Sequence, residues 1–154
     1  MDFSQFDSRG QAERGNPLDL VHPVTLEPII DPDTGTPCRV IVKSFLAPSV
    51  NVGIAALRRS GMSENSLQDG MNWYEAHENT IEIAALYIAG FEGVNHPEGR
   101  SATAGDARWF LSLDLPIAKD EAAAGMTKPT KPFAQQILEA VQNERNSLGN
   151  APAP

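Results

Sequence analysis

The spacing of apolar residues changes at Pro48, and this change constrains the fold more than any other feature of the sequence. Upstream, LDLVH (18–22) and CRVIVKSF (38–45) have the apolar and β-branched patterns of strands, and VTLEPII (24–30) is a weaker strand candidate. Downstream, the apolar residues follow the helical period. This order predicts an α+β fold with a short N-terminal antiparallel β-meander followed by three or four helices.

Helical segments are predicted at 49–61, 72–90 and 133–149. The second has the widest apolar stripe and stops at Gly90, and the third is a terminal amphipathic helix. A shorter helix is predicted to begin at Thr103, because Thr followed three residues later by an acid is a capping pattern. These helices supply the second half of the predicted fold.

Composition along the chain divides it into segments. The first residues are polar with two aromatics, and Gly and Pro interrupt the stretch before the terminal helix. We therefore predict an N-terminal arm (1–17), an α+β core (18–115), a flexible linker (116–132), a C-terminal amphipathic helix (133–149) and a tail (150–154).

The charge of the chain limits its partners. Twenty acidic residues against twelve basic ones give a formal net charge of −8, and the densest basic spot is Arg58-Arg59. Phosphate backbones and anionic lipid surfaces would be repelled, so we expect neither nucleic acid nor membrane as partner.

The single Cys38 cannot form an internal disulfide, and no signal peptide or membrane-spanning run is visible. We expect a reducing cytoplasm.

Two stretches begin like metal-binding motifs but do not complete them. DPDTG (31–35) starts like a calcium loop, yet Thr36 and Val42 stand where such a loop needs Gly and Glu. His77-Glu78 starts like a zinc-protease motif, but Ile81 occupies the place of the second histidine. We expect no metal site.

Sequence signatures of catalysis are also missing. Cys38 lies just inside a predicted strand, away from a helix start or a base that would lower the pKa of its thiol. The chain has no GxSxG, no Walker-type phosphate loop and no dinucleotide fingerprint. We therefore predict no catalytic or cofactor-binding residues and no cofactor.

A polar stretch, residues 90–106, lies between two apolar runs and is called the joint below. It permits two interpretations: a small enzyme would use Glu92, His96 or Asp106, whereas caps and glycines alone explain a turn between two packed helices. We favour the turn. The capping pattern predicts that Thr103 contributes more to stability than Asp106.

Two apolar features are candidates for partner binding. Phe3 and Phe6 are three residues apart in the arm, and the terminal helix carries an apolar stripe that packs on its own domain or docks in a groove of a partner. The candidate partner-binding residues are Phe3, Phe6, Phe133, Ile137, Val141 and Leu148.

Four segments, in this order and spacing, resemble a family. They are FDSRGQAERG (6–15), LDLVHPVTLEPI (18–29), IAGFEGVNHPEGRSATAGDARWFL (88–111) and FAQQILEAVQNERNSLG (133–149). The chain as a whole resembles small tailed-bacteriophage proteins described as tail assembly chaperones. That resemblance implies a small, non-enzymatic α+β protein that binds the tail tube or the tape measure protein during assembly.

The resemblance leaves alternatives open. A virion-resident minor structural protein, such as a capsid decoration (cement) protein or a connector component, is the first, and a small enzyme using the joint is the second. The expected partners are phage structural proteins of the tail tube, tape measure or capsid, and a second copy of the chain. The expected location is the host cytoplasm during assembly, or the virion under the first alternative.

Overall fold

The computed structural model describes residues 2–61, 73–114 and 131–149. These residues form a three-stranded antiparallel sheet and five α-helices, which confirms the α+β class. The strands are β1 (Asn16–Asp19), β2 (Arg39–Val42) and β3 (Ile88–Glu92). The helices are α1 (Ser8–Arg14), α2 (Pro48–Arg59), α3 (Trp73–Leu86), α4 (Ala107–Ser112) and α5 (Phe133–Gly149), and short 3₁₀ helices cover Phe3–Phe6 and Ala104–Asp106.

Some of the predicted segments fall outside the described residues. Of the linker (116–132) only residues 131 and 132 are described, and the tail (150–154) is not. The arm (1–17) contains α1, whose Ala12 is buried in the core. None of the helices in the described ranges has the length and apolar character needed to cross a membrane.

The strand β2 is the centre of the sheet and pairs with β1 on one side and β3 on the other. Val40 lies opposite Leu18 in β1 and opposite Phe91 in β3. Val40 and Val42 alternate with half-buried neighbours and point into the core. The β-branched run predicted as a strand therefore forms the buried middle of the sheet.

The predicted origin of the third strand is wrong. Segment 24–30 is a turn with isolated bridges from Val21 to Pro28 and from Ile30 to Pro37, and Leu26 has a left-handed φ of 64°. The third strand is instead Ile88–Glu92. Its first three residues were predicted as the end of the helical segment 72–90, and the rest as part of the polar joint. Its pairing with β2 offsets the local helical pattern, because packing and ladder hydrogen bonds outweigh weak propensities.

The terminal helix α5 packs into the core of the domain. Phe133 stacks on Phe110 with ring centroids 4.7 Å apart, and Phe110 in turn meets Phe91 edge-on at 4.9 Å. Ile137 and Val141 are buried one and two turns further along. The apolar stripe of α5 therefore joins the sheet and α4 in one core.

A buried glutamine fixes the start of α5 to the chain that follows β1. Gln136 is only 4 % exposed. Its Oε1 accepts from the Val21 N–H at 3.1 Å, and its Nε2 donates to the carbonyl oxygens of Val21 at 2.9 Å and Lys131 at 3.0 Å. The side-chain amide thus satisfies both polar groups of Val21, as a neighbouring strand would.

Carboxylates connect the same helix to distant parts of the chain. Asp114 accepts from the Phe133 N–H at 2.6 Å and so caps the first turn of α5. Burial raises the pKa of Asp114, and the Phe133 hydrogen bond opposes that rise. Near the other end, Glu144 accepts from the Ser44 hydroxyl at 2.8 Å and the Phe45 N–H at 3.0 Å.

We expect Gln136→Leu to lower the free energy of unfolding by about 2 kcal/mol, because it removes the partners of the N–H and C=O of Val21 at a partly buried position. Gln135→Leu is the matched control, since Gln135 is the exposed neighbour on the same turn and its loss should stay within about 0.5 kcal/mol. Urea denaturation measures both. Equal losses in the two variants would mean that the hydrogen bonds between Gln136 and Val21 do not contribute to the free energy of unfolding.

The chain passes close to itself where α1 meets β1. Gly15 has a φ of 74° and a ψ of −174°, a region that only glycine occupies readily, and an added Cβ would collide with the Val42 carbonyl oxygen. Gly35 also has a positive φ of 70°, but no atom lies within 4 Å of the Cβ position. Substitutions at these two glycines therefore distinguish the cost of backbone strain from the cost of a steric collision.

We therefore expect Gly35→Ala to lower the free energy of unfolding by about 1–2 kcal/mol through backbone strain alone. Gly15→Ala should cost clearly more, since it adds the collision with Val42. Denaturant midpoints of the two variants make the comparison. A Gly15→Ala protein as stable as the Gly35→Ala protein would contradict this reading of the α1–β2 contact.

Candidate functional site

The joint leads from strand β3 to helix α4, so the prediction that it connects two helices is wrong. It forms a tight hairpin in which the His96 N–H donates to the Arg100 carbonyl at 2.8 Å and the Gly99 N–H donates to the His96 carbonyl at 3.0 Å. A bridge between Asn95 and Ser101 closes it. The Ala104–Asp106 3₁₀ helix then leads into α4.

An arginine and an aspartate form the charged centre of the joint. Arg100 donates twice to Asp106, from Nη1 to Oδ2 at 2.6 Å and from Nη2 to Oδ1 at 2.9 Å. A third bond runs from Arg100 Nε to Glu98 at 3.2 Å. The bidentate pair holds the pKa of Asp106 far below its usual range and raises that of Arg100.

Asp106 also caps its own turn. Its Oδ2 accepts from the Thr103 N–H at 2.8 Å and from the Thr103 hydroxyl at 3.3 Å. The pattern at 103–106 is therefore a capping box, as the sequence predicts. The contacts favour the opposite order of importance to the one expected from the sequence, because the Asp106 carboxylate holds Arg100 as well as the turn.

His96 packs beside this pair. Its ring lies 4.7 Å from the ring of Trp109 in α4, and its Nδ1 accepts from the Glu98 N–H at 3.2 Å. Its Nε2 is 4.0 Å from Asp106 Oδ1. The imidazole thus lies between the hairpin and helix α4, and the ring of Trp109 is its apolar neighbour.

The chemistry open to this cluster is limited by its internal pairing. A general base needs a pKa near the working pH, and Asp106 is held far below it by Arg100. Glu92 is 3.5 Å from Arg39 across the sheet rather than beside His96 and Asp106. The structure brings His96 and Asp106 together and leaves Glu92 apart, in an arrangement that stabilises a loop.

The other candidates from the sequence lie in separate places. Asp31 accepts from the Asp33 N–H at 3.0 Å and organises a turn. His77 is buried in α3, and burial lowers its pKa. Cys38 is buried, its Sγ lies 3.4 Å from the Gly93 carbonyl oxygen, and burial raises the pKa of the thiol. Within the described ranges, no group of three or more His, Cys, Asp or Glu residues is placed to hold a metal ion.

The candidate partner-binding residues divide into two sets. Phe3 and Phe6 are exposed, at 69 % and 63 %. Phe133, Ile137 and Val141 are buried in the core of the chain itself, and the side chain of Leu148 lies outside the described residues. Of the five candidates whose side chains the structure describes, only Phe3 and Phe6 present them to a partner.

One polar cluster gave no signal in the sequence. Glu13 in α1 accepts from the Ser49 N–H at 2.7 Å and from the Ser49 hydroxyl at 2.6 Å, and Lys43 donates to the same hydroxyl at 3.0 Å. The bonds from Ser49 lower the pKa of Glu13. The cluster caps the start of α2, and its members are too far apart in sequence for a spacing rule to find.

No protein-family model matches this sequence, and neither a curated protein nor a solved structure matches it.

We expect Asp106→Asn to lower the melting temperature at neutral pH more than Thr103→Ala does, because it removes the anion from Arg100. The carboxylate has a lowered pKa, so its stabilisation is complete above about pH 4 and is lost progressively as pH falls from there towards the much lower pKa of the folded state. Thermal melts from about pH 7 down to about pH 2 compare the variants, and the difference between wild type and Asp106→Asn should shrink below about pH 4.

Glu98→Gln is the control for this prediction. Glu98 also bonds Arg100, but its side chain is 69 % exposed and solvent screens the pair, so the change should have little effect. If Glu98→Gln lowered the melting temperature as much as Asp106→Asn, the bidentate pair would not be the centre of the joint.

Proposed function

We propose that this protein is a non-enzymatic binding protein of tailed-phage morphogenesis, of the tail assembly chaperone kind that its sequence resemblance implies. The observation that carries the binding role is the exposed aromatic pair Phe3 and Phe6. The phage context is supported by the resemblance alone. Asp106 is one of the residues of the joint that a small enzyme would use. Its carboxylate is paired with Arg100, and this pairing supports a role without catalysis.

The aromatic pair has the properties of a binding element. The two rings lie on one 3₁₀ helix with centroids 5.9 Å apart and planes inclined at 44°. Burying an aromatic side chain removes about 150–250 Å² from water, so two exposed rings represent a large unused contribution to binding. Aromatic residues are the usual anchors of protein interfaces.

The pair also lies directly next to a helix that is anchored in the folded domain. Asp7 follows Phe6 directly, and its carboxylate accepts from the Gly10 N–H at 2.9 Å to cap α1. Ala12 of the same helix is buried in the core. Because the rings sit on a short helix next to an anchored one, less conformational freedom is lost on binding than from an unstructured tail.

The partner that fits this element is a protein with an apolar groove. The tail tube and tape measure proteins named by the resemblance are the first to test. A chain with a net charge of −8 gains nothing from electrostatic attraction to nucleic acid, whereas an aromatic anchor does not depend on charge.

We expect the double variant Phe3→Ser/Phe6→Ser to lose co-purification with the tail tube or tape measure protein when both are produced together. The melting temperature should stay close to that of wild type, because both rings are exposed. Val24→Ser is the control, since Val24 is an exposed apolar residue elsewhere on the domain and its change should leave capture intact.

Quantitative mass spectrometry of purified particles separates the two phage roles. Absence from particles together with abundance in infected cells fits the chaperone role, and a fixed copy number in particles would instead establish a virion-resident protein. Capture by the double variant equal to wild type would remove the aromatic pair from the proposal.

A further inference from the structure

Three helices enclose a cavity that the function proposed above does not use. It has a volume of about 220 Å³ and lies between α2, α3 and α5. Its apolar walls are Ile54 from α2, Ile83 from α3 with Tyr87 directly after that helix, and Leu138 and Val141 from α5. Protein interiors are close-packed and leave few voids larger than a water molecule. A gap of this size between packed helices is therefore space that a ligand can fill.

The interior of the cavity suits an apolar group. Val141 and Tyr87 are buried and form its inner end. Thr80 also lines the cavity, but its hydroxyl donates to the Ala76 carbonyl at 2.9 Å. A charged group placed among these walls would lose its hydration without gaining an opposite charge, whereas an aliphatic chain would leave water at no such cost.

The mouth of the cavity carries a positive charge. Gln142 and Arg145 continue the cavity-lining face of α5, and both are exposed. The guanidinium of Arg145 lies over the ring of Phe45, 5.2 Å from the ring centroid. In the part of the chain that the structure describes, Arg145 makes no ion pair. Stacking on a ring leaves the in-plane N–H donors of a guanidinium available, so Phe45 positions a cation that can still bind an anion.

The acids of the chain leave this arginine to a ligand. Arg39, Arg100 and Arg108 are each paired with a carboxylate. Glu144, the sequence neighbour of Arg145, instead accepts from the Ser44 hydroxyl and the Phe45 N–H. In a protein with a net charge of −8, the mouth of this cavity is therefore a place where an anion meets an unpaired cation.

We propose that this cavity binds a small monocarboxylate, with its aliphatic chain between the three helices and its carboxylate on Arg145. A planar guanidinium holds a carboxylate through two parallel hydrogen bonds. Ligand sites combine apolar walls with a few polar groups that fix orientation, and drug-sized ligands need about 300–1,000 Å³, so this smaller cavity takes a short chain. The site is separate from the Phe3–Phe6 pair and goes beyond the function proposed above.

The first test titrates the full chain with hexanoate, hexanol and butanoate and follows the methyl signals of Ile54, Ile83 and Leu138 by NMR. We expect saturable shifts, with hexanoate binding about tenfold more tightly than hexanol, because only the carboxylate pairs with Arg145. Hexanoate should also bind about tenfold more tightly than butanoate, since each buried CH₂ contributes a factor of about four. No saturable shift at these methyls, or equal binding of hexanoate and hexanol, would overturn the proposal.

The second test places the ligand with variants. Arg145→Gln should weaken hexanoate to the level of hexanol, and it should leave the fold intact because Arg145 is exposed. Arg9→Gln is the matched control, an exposed arginine in α1 that does not line the cavity. Ile54→Phe fills the cavity and should abolish the binding of both ligands, whereas Val52→Phe, at an exposed position of the same helix, should not. Wild-type hexanoate binding by Arg145→Gln would contradict the site even if Ile54→Phe failed to fold.

Discussion

The hydrogen bonds of Gln136 connect the N-terminal and C-terminal parts of the described chain, and the packing of the last helix depends on them. They tie Val21, just after the first strand, to the first turn of the last helix. With that helix in place, Phe133 stacks on Phe110 and Ile137 fills the space under the sheet. A polar amide in a core is stable only when all its partners are present, so this contact also specifies one arrangement of strand and helix.

Carboxylates play a similar role at the helix starts. Asp114, Glu13 and Asp106 each accept from backbone N–H groups that a helix leaves unpaired, and the first two do so from distant parts of the sequence. Part of the negative charge of this chain is thereby used in the fold itself. The charged residues of the joint pair with each other, whereas the Phe3–Phe6 pair is exposed on the surface of the domain.

Prediction from the sequence succeeded where the local pattern agrees with the packing. The run at 38–45 contains the central strand, the pattern at 133–149 is a helix with its stripe in the core, and the turn at Asp31 is a turn. It failed at residues 88–90, the end of the helix predicted at 72–90, because these residues pair with the edge of β2. It also missed the pairing of Asp106 with Arg100, because no helix rule includes that contact.

The sequence by itself determined the α+β class, the acidic charge and the positions of the central strand and the terminal helix, since these follow from local periodicity and composition. The tertiary structure alone decided that the third strand follows α3, that Gln136 replaces a strand beside Val21, and that His96 and Asp106 lie together while Glu92 does not. These outcomes depend on contacts between residues far apart in the chain. A single sequence records the residues but not which of them meet.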